Sequence, residues 1–170
     1  TMSCPPKYVI FETQTDVVNF AGSNCPWILS LEIKSSWHGL DPVTDLGAAG
    51  LENLTAIFGH LKIHDAPALI SLRGLDGLRT VSKSIYIQNA ALLASLDGLQ
   101  GITSVGASLV IADAPVLESL DGLEGITAIG KDSDGQSFRL SPMDSLQSLS
   151  ALRSVTGALS AASSSSGQTT

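Results

Sequence analysis

Apolar positions along this chain recur with a period that switches from two to three and back within every 24 residues. Leu61-Lys62-Ile63 alternates apolar, polar, apolar; Leu72, Leu75 and Leu78 follow at a spacing of three, and Val81 closes the unit. The same order returns as Ile85-Tyr86-Ile87, Leu96, Leu99, Ile102 and Val105, then as Leu109-Val110-Ile111, Leu120, Leu123, Ile126 and Ile129. Alternation predicts a short strand with two side chains buried and one displayed. Asp65-Ala66-Pro67, Asn89-Ala90-Ala91 and Asp113-Ala114-Pro115 predict a turn after each strand, because Asp and Asn side chains can bond nearby backbone N–H groups. A second short strand is expected to end at Ser71-Leu72, Ser95-Leu96 and Ser119-Leu120. The spacing of three then predicts tight turns, each aiming one aliphatic side chain inward, with Gly74, Gly98 and Gly122 and again Gly77, Gly101 and Gly125 at corners closed to other residues.

A fixed repeat of this length is the mark of a solenoid. One copy cannot bury its apolar face alone, so copies must stack to complete the core. Parallel crossovers of this kind are nearly always right-handed. The expected fold is therefore mainly β: a right-handed parallel β-helix or leucine-rich-repeat-like solenoid of about five coils, starting at Leu31, Leu61, Ile85, Leu109 and Phe138. The first coil is longer because of a loop over 35–50 that holds Trp37, His38 and Pro42. The fourth carries an insertion over 131–136, and the fifth continues through Leu146, Leu149, Leu152, Val155 and Leu159.

The ends read differently. Residues 4–25 are expected to cap the open core, with strand character over Lys7-Tyr8-Val9-Ile10-Phe11 and one or two helical turns over 13–20, N-capped by Thr15 or Asp16. Cys4 and Cys25, both ahead of the repeats, read as a disulfide closing this cap; the alternative is two free, partly buried thiols. A disulfide implies an oxidising compartment. The solenoid domain is expected over 1–161, followed by a Ser/Thr-rich flexible linker or stalk over 162–170.

Composition narrows the function. The chain has 170 residues, 44% of them hydrophobic but only 5% aromatic, so its core is aliphatic. With 15% charged residues and a net charge of −7 it lacks the basic stripe that nucleic acid or an anionic membrane requires. No apolar run is long enough to span a membrane. An extracellular chain would carry its secretory leader outside this sequence. The repeat supplies the glycines, and none forms a phosphate-binding loop ahead of a helix, so no cofactor is expected.

Cys4, Phe20 and Cys25, followed by Leu31-Glu32-Ile33 and by Leu51-Glu52-Asn53-Leu54-Thr55-Ala56-Ile57 leading to Leu61-Lys62-Ile63, resemble the receptor L domain. This is the ligand-binding β-helical domain of the epidermal growth factor and insulin receptor families. The later repeats, with Ser95-Leu96-Asp97-Gly98-Leu99, look more like the L-domain-like repeats of fungal GPI-anchored cell-wall proteins. The resemblance covers about residues 4–160. It implies an extracellular or cell-surface role in binding or architecture, without catalysis. The further cysteines and cysteine-rich module that usually follow a receptor L domain have no counterpart here, so the resemblance implies no named ligand.

The first strand of each coil displays one column, Glu32, Lys62, Tyr86, Val110 and Arg139, with His60 and His64 flanking Lys62 and Gln88 beside His64. This mixed face of donors and one aromatic is the candidate recognition surface, as against a merely solvated sheet face. Trp37, in the long loop, is either a lid on the core or a binding anchor. The expected ligand is a protein, a peptide or a glycan, and the open C-terminal coil is also a candidate for self-association. The histidines do not make a metal site: His60 and His64, four apart on a strand, place their α-carbons about 13 Å apart. Asp65, Asn89 and Asp113, and likewise Asp97 and Asp121, stack as acids do in polysaccharide lyases, but with no basic residue beside them they read as turn caps. Ser71, Ser95 and Ser119 read as a hydroxyl ladder rather than nucleophiles. Asp132-Ser133-Asp134-Gly135 reads as an exposed turn. Asn53-Leu54-Thr55 is an N-glycosylation sequon at an outward position. The function these residues favour is a non-catalytic binding module; the alternatives are a structural wall or adhesion spacer and, more remotely, a carbohydrate-active β-helix enzyme.

Overall fold

Short strands alternate between two parallel sheets in this computed structural model, which describes residues 8–20, 25–35, 40–141 and 145. The elements are β1 (Tyr8–Phe11), α1 (Gln14–Phe20), β2 (Trp27–Ile28), β3 (Ser30–Ile33), β4 (Ala56–Ile57), β5 (Leu61–His64), β6 (Thr80–Val81), β7 (Ile85–Gln88), β8 (Ser104–Val105), β9 (Leu109–Ala112), β10 (Ala128–Ile129) and β11 (Phe138–Leu140). The six odd-numbered strands form one sheet in chain order, and the five even-numbered strands form the other. Every pairing is parallel. The fold is thus mainly β, with α1 as its seven-residue helix among the described residues.

The register follows the repeat. Leu61 pairs with Ile85 and Ile85 with Leu109, while Ile63, Ile87 and Ile111 align one step on. These side chains, and Leu72, Leu75 and Leu78 with their counterparts in the next two copies, are fully or almost fully buried in one aliphatic cluster between the sheets.

Several expectations need correction. The second sheet is not built from the segments ending at Ser71, Ser95 and Ser119 but from residue pairs about ten positions later, Thr80-Val81, Ser104-Val105 and Ala128-Ile129. Nor do those serines form a ladder. Each accepts a hydrogen bond from the backbone N–H two residues on, Ser71 from Arg73 at 3.1 Å, Ser95 from Asp97 at 3.2 Å and Ser119 from Asp121 at 3.3 Å, so each closes its own turn. A hydroxyl pair does exist elsewhere: Ser84 and Ser108, buried ahead of β7 and β9, lie 3.2 Å apart through their Oγ atoms. The two sets of glycines also differ. Gly74, Gly98 and Gly122 have φ of 107°, 113° and 105°, a region that excludes side chains. Gly77, Gly101 and Gly125 do not; they are needed because the backbone of the preceding copy passes where a Cβ would stand, within 2.8 Å of the Gln100 carbonyl at Gly125.

The N-terminal cap is more fully part of the sheet than expected. β1 pairs with β3 in full register, Tyr8 with Ser30 through Phe11 with Ile33, so the strand column begins one strand earlier than the five coil starts. The helix is capped by Thr13, not by Thr15 or Asp16. Thr13 Oγ1 accepts the Asp16 N–H at 3.1 Å, and the Asp16 carboxylate accepts the N–H groups of Thr13 at 2.9 Å and Glu12 at 3.0 Å, a reciprocal capping box. Of the long loop, Val43, Leu46 and Ala49 turn into the core, and Asp41 and Thr44 bond the first turn of α1. Cys25 is buried. Cys4, Trp37, His38 and the continuation through Leu159 lie outside the described residues.

The Glu12 N–H, followed by the Thr13 hydroxyl, holds the Asp16 carboxyl below the ordinary carboxylate range. A lowered folded-state pKa stabilises above the unfolded value and is lost as pH falls through the folded one. Thr13→Ala should therefore cost about 1 kcal/mol at neutral pH. The Asp16→Ala penalty should be full at neutral pH and fade as the carboxyl protonates in acid. Urea unfolding at pH 7 and in acid checks both.

Candidate ligand-binding face

Alternation along β5 and β7 sends Leu61, Ile63, Ile85 and Ile87 into the core and leaves Lys62, His64, Tyr86 and Gln88 on the outer face. Parallel pairing then sets Lys62 beside Tyr86 and His64 beside Gln88. With His60, these half-buried side chains line a shallow depression of about 330 Å³. A smaller one of about 160 Å³ adjoins it, shares His60 and Lys62, and reaches Tyr8 and Ile10 on β1.

The pairings give one outward column, Ile10, Glu32, Lys62, Tyr86, Val110 and Arg139. Of the residues expected on the recognition surface, His60, Lys62, His64, Tyr86 and Gln88 come together. Arg139 shares the column but stands beyond Val110, outside the depression, and Val110 is buried rather than displayed. Tyr8, 73% exposed, and Ile10, 47% exposed, extend the face and were not singled out. All four residues of β1 are apolar or aromatic, so no alternation in the sequence marked which of them face outward.

The face has two chemically distinct ends. At one, His64 is clamped between carboxylates, with Nε2 2.9 Å from Glu32 Oε1 and Nδ1 3.3 Å from Asp65 Oδ2, and the Asn89 amide donates to Asp65 Oδ1 at 2.8 Å. The His64 hydrogen bond holds the Glu32 carboxyl below the usual carboxylate range against some burial, helped by the charges of His64, Lys62 and Lys34. Asp65 is held low by Asn89 first and then by His64. At the other end, His60 Nδ1 accepts the Ser84 N–H at 3.2 Å, which fixes the neutral tautomer with its hydrogen on Nε2. Burial, then the charges of Lys62 and Lys83, push its pKa down. The His60 and Tyr86 rings lie 5.8 Å apart, tilted by 38°. Glu32 is taken up by His64, and no salt bridge of Lys62 occurs among the described residues.

The acid columns have structural work. Asp65, Asn89 and Asp113 hold φ of 51°, 53° and 53°, the left-handed region that Asp and Asn tolerate best after glycine. Asp132 Oδ1 accepts the N–H groups of Asp134 and Gln136 and closes the expected exposed turn. Among the described residues no group of three or more His, Cys, Asp or Glu could hold a metal ion, and no helix is long and apolar enough to cross a membrane. Asn53 is exposed in a turn, and Thr55 of its sequon donates to the Pro26 carbonyl at 2.8 Å.

Comparison of the chain with protein-family models, with curated proteins and with solved structures finds no match.

Proposed function

We propose that this chain is an extracellular, non-catalytic binding module of receptor-L-domain type, closed into a right-handed parallel solenoid and recognising its ligand on the outer face of the six-stranded sheet. The observation that carries this reading is the depression formed by His60, Lys62, His64, Tyr86 and Gln88. It combines an aromatic ring, a lysine that makes no salt bridge among the described residues and several hydrogen-bonding groups, the mixture from which recognition sites are built. The aligned strands and single aliphatic cluster support the solenoid. The cap disulfide belongs to this reading, with buried Cys25 as one partner and Cys4 as the other. So does glycosylation of exposed Asn53 in a secreting host. The left-handed turns at Asp65, Asn89 and Asp113 favour a structural over a catalytic use of the acid column. A screen against glycans and secreted proteins tests the proposal. Tyr86→Ala should weaken any binding found by at least tenfold while leaving the unfolding midpoint nearly unchanged, whereas a ligand that binds this variant as well as the parent locates recognition elsewhere.

A further inference from the structure

We infer that the depression takes a carboxylated sugar, with the carboxylate at Lys62 and His60 and the ring hydroxyls toward Gln88, Glu32 and Asp65. The inference rests on the binding-module reading and narrows its ligand.

Charge is the first argument. The chain carries sixteen acidic side chains against nine Lys and Arg, yet one end of this depression is locally positive. Burial first, and then the charges of Lys62 and Lys83, lower the pKa of His60, which places both lysines at that end. The acid nearest Lys62 in register, Glu32, is held by His64 at 2.9 Å. Lys62, half-buried and without a salt bridge among the described residues, can take an anion at its ammonium. The second argument is geometry. Because the Ser84 N–H occupies His60 Nδ1, the ring offers Nε2–H as a donor of fixed position beside Lys62. Two donors at adjacent points suit the two oxygens of one carboxylate.

The remaining groups select the rest of the ligand. Tyr86 supplies an apolar ring face next to the cation, on which the C–H face of a sugar can lie. At the other end Gln88 stands beside His64, and Glu32 and Asp65 hold His64 from the rim; this amide and these acceptors complement hydroxyl groups. They also oppose a second negative charge, so a polyacidic peptide would set its further carboxylates against Glu32 and Asp65. One carboxylate with several hydroxyls on a ring fits both ends. The volume, about 330 Å³, lies at the small end of ligand sites, as one or two sugar rings require.

The test is an NMR titration of the full chain with uronate tetramers (galacturonate, mannuronate and guluronate), alongside methyl-esterified tetramers, neutral oligosaccharides and a glutamate-rich peptide. The expected result is saturable binding of at least one uronate, with shifts concentrated at residues 60–64 and 84–89. Esterification and Lys62→Gln should each weaken that binding at least tenfold. Thr103→Ala, just ahead of β8 in the other sheet, should leave it unchanged, and the spectra of both variants report whether they are folded. Binding of the esterified form as strong as the acid, failure of all three uronates, or preference for the peptide overturns the inference. If neutral sugars or the peptide still shift residues of this face, the binding-module reading survives that failure. If neither this panel nor the broader screen perturbs the face, both fall.

Discussion

Gly98→Ala should destabilise the fold by at least about 3 kcal/mol. Two independent penalties act at this position. Its φ of 113° is one that an L side chain rarely adopts, and left-handed backbone costs such residues about 1–2 kcal/mol. The added Cβ would also overlap the carbonyl of Leu72 in the preceding copy. That obstacle is backbone, so no rotamer change relieves it, and the copies must separate. Gly135→Ala isolates the first penalty. It too has positive φ, 76°, but a Cβ there meets nothing within 4 Å. It should cost about 1–2 kcal/mol. Urea unfolding of both variants separates conformational strain from stacking. Equal, mild losses would mean that consecutive copies do not approach at Gly98 as closely as described, and the repeat-on-repeat packing that positions the proposed binding face would be in question.

That contrast also marks what could be read from the chain alone. The Leu-x-Ile tripeptide declares its strand because three residues suffice to show alternation, and the constant 24-residue offset fixes which side chains share a column. Lys62 beside Tyr86 and His64 beside Gln88 were therefore legible. The second sheet was not, because strands of two residues such as Thr80-Val81 have no alternation to display. Pattern likewise cannot distinguish Gly98, needed for its φ as well as for lack of a side chain, from Gly125, needed for lack of a side chain alone; both stand between apolar residues at a spacing of three. The N-cap at Thr13 was missed because Thr13, Thr15 and Asp16 all suit the role, and the reciprocal bond with Asp16 decides among them. At the site, column logic brought the residues together but gave no polarity. That Glu32 hydrogen-bonds His64 and not Lys62, its direct neighbour, depends on a diagonal contact between strands 30 residues apart, which a column of residues does not reveal.

The neighbours Leu92 and Leu93 give the sharpest test of how each copy turns its corner. Both are leucines in an apolar run, Ala90-Ala91-Leu92-Leu93, and nothing in the run says which faces inward. The left-handed Asn89 sets the phase. The chain then makes a short turn, with the Leu93 N–H bonded to the Ala90 carbonyl at 3.2 Å, as Leu69 bonds Ala66 and Leu117 bonds Ala114 in the flanking copies. The result is a column of Leu69, Leu93 and Leu117 fully inside the core, while Leu92 is 48% exposed. Leu93→Ala should cost about 2–5 kcal/mol, through lost burial and a cavity whose walls belong partly to the adjoining copies. Leu92→Ala should stay within about 0.5 kcal/mol of the parent. Thermal or urea unfolding measures both on the same scale. If the order is reversed, the turn after β7 is out of phase by one residue. Gln88 ends β7 immediately before that turn, so such a slip would also disturb the end of the proposed binding face at which Gln88 pairs with His64.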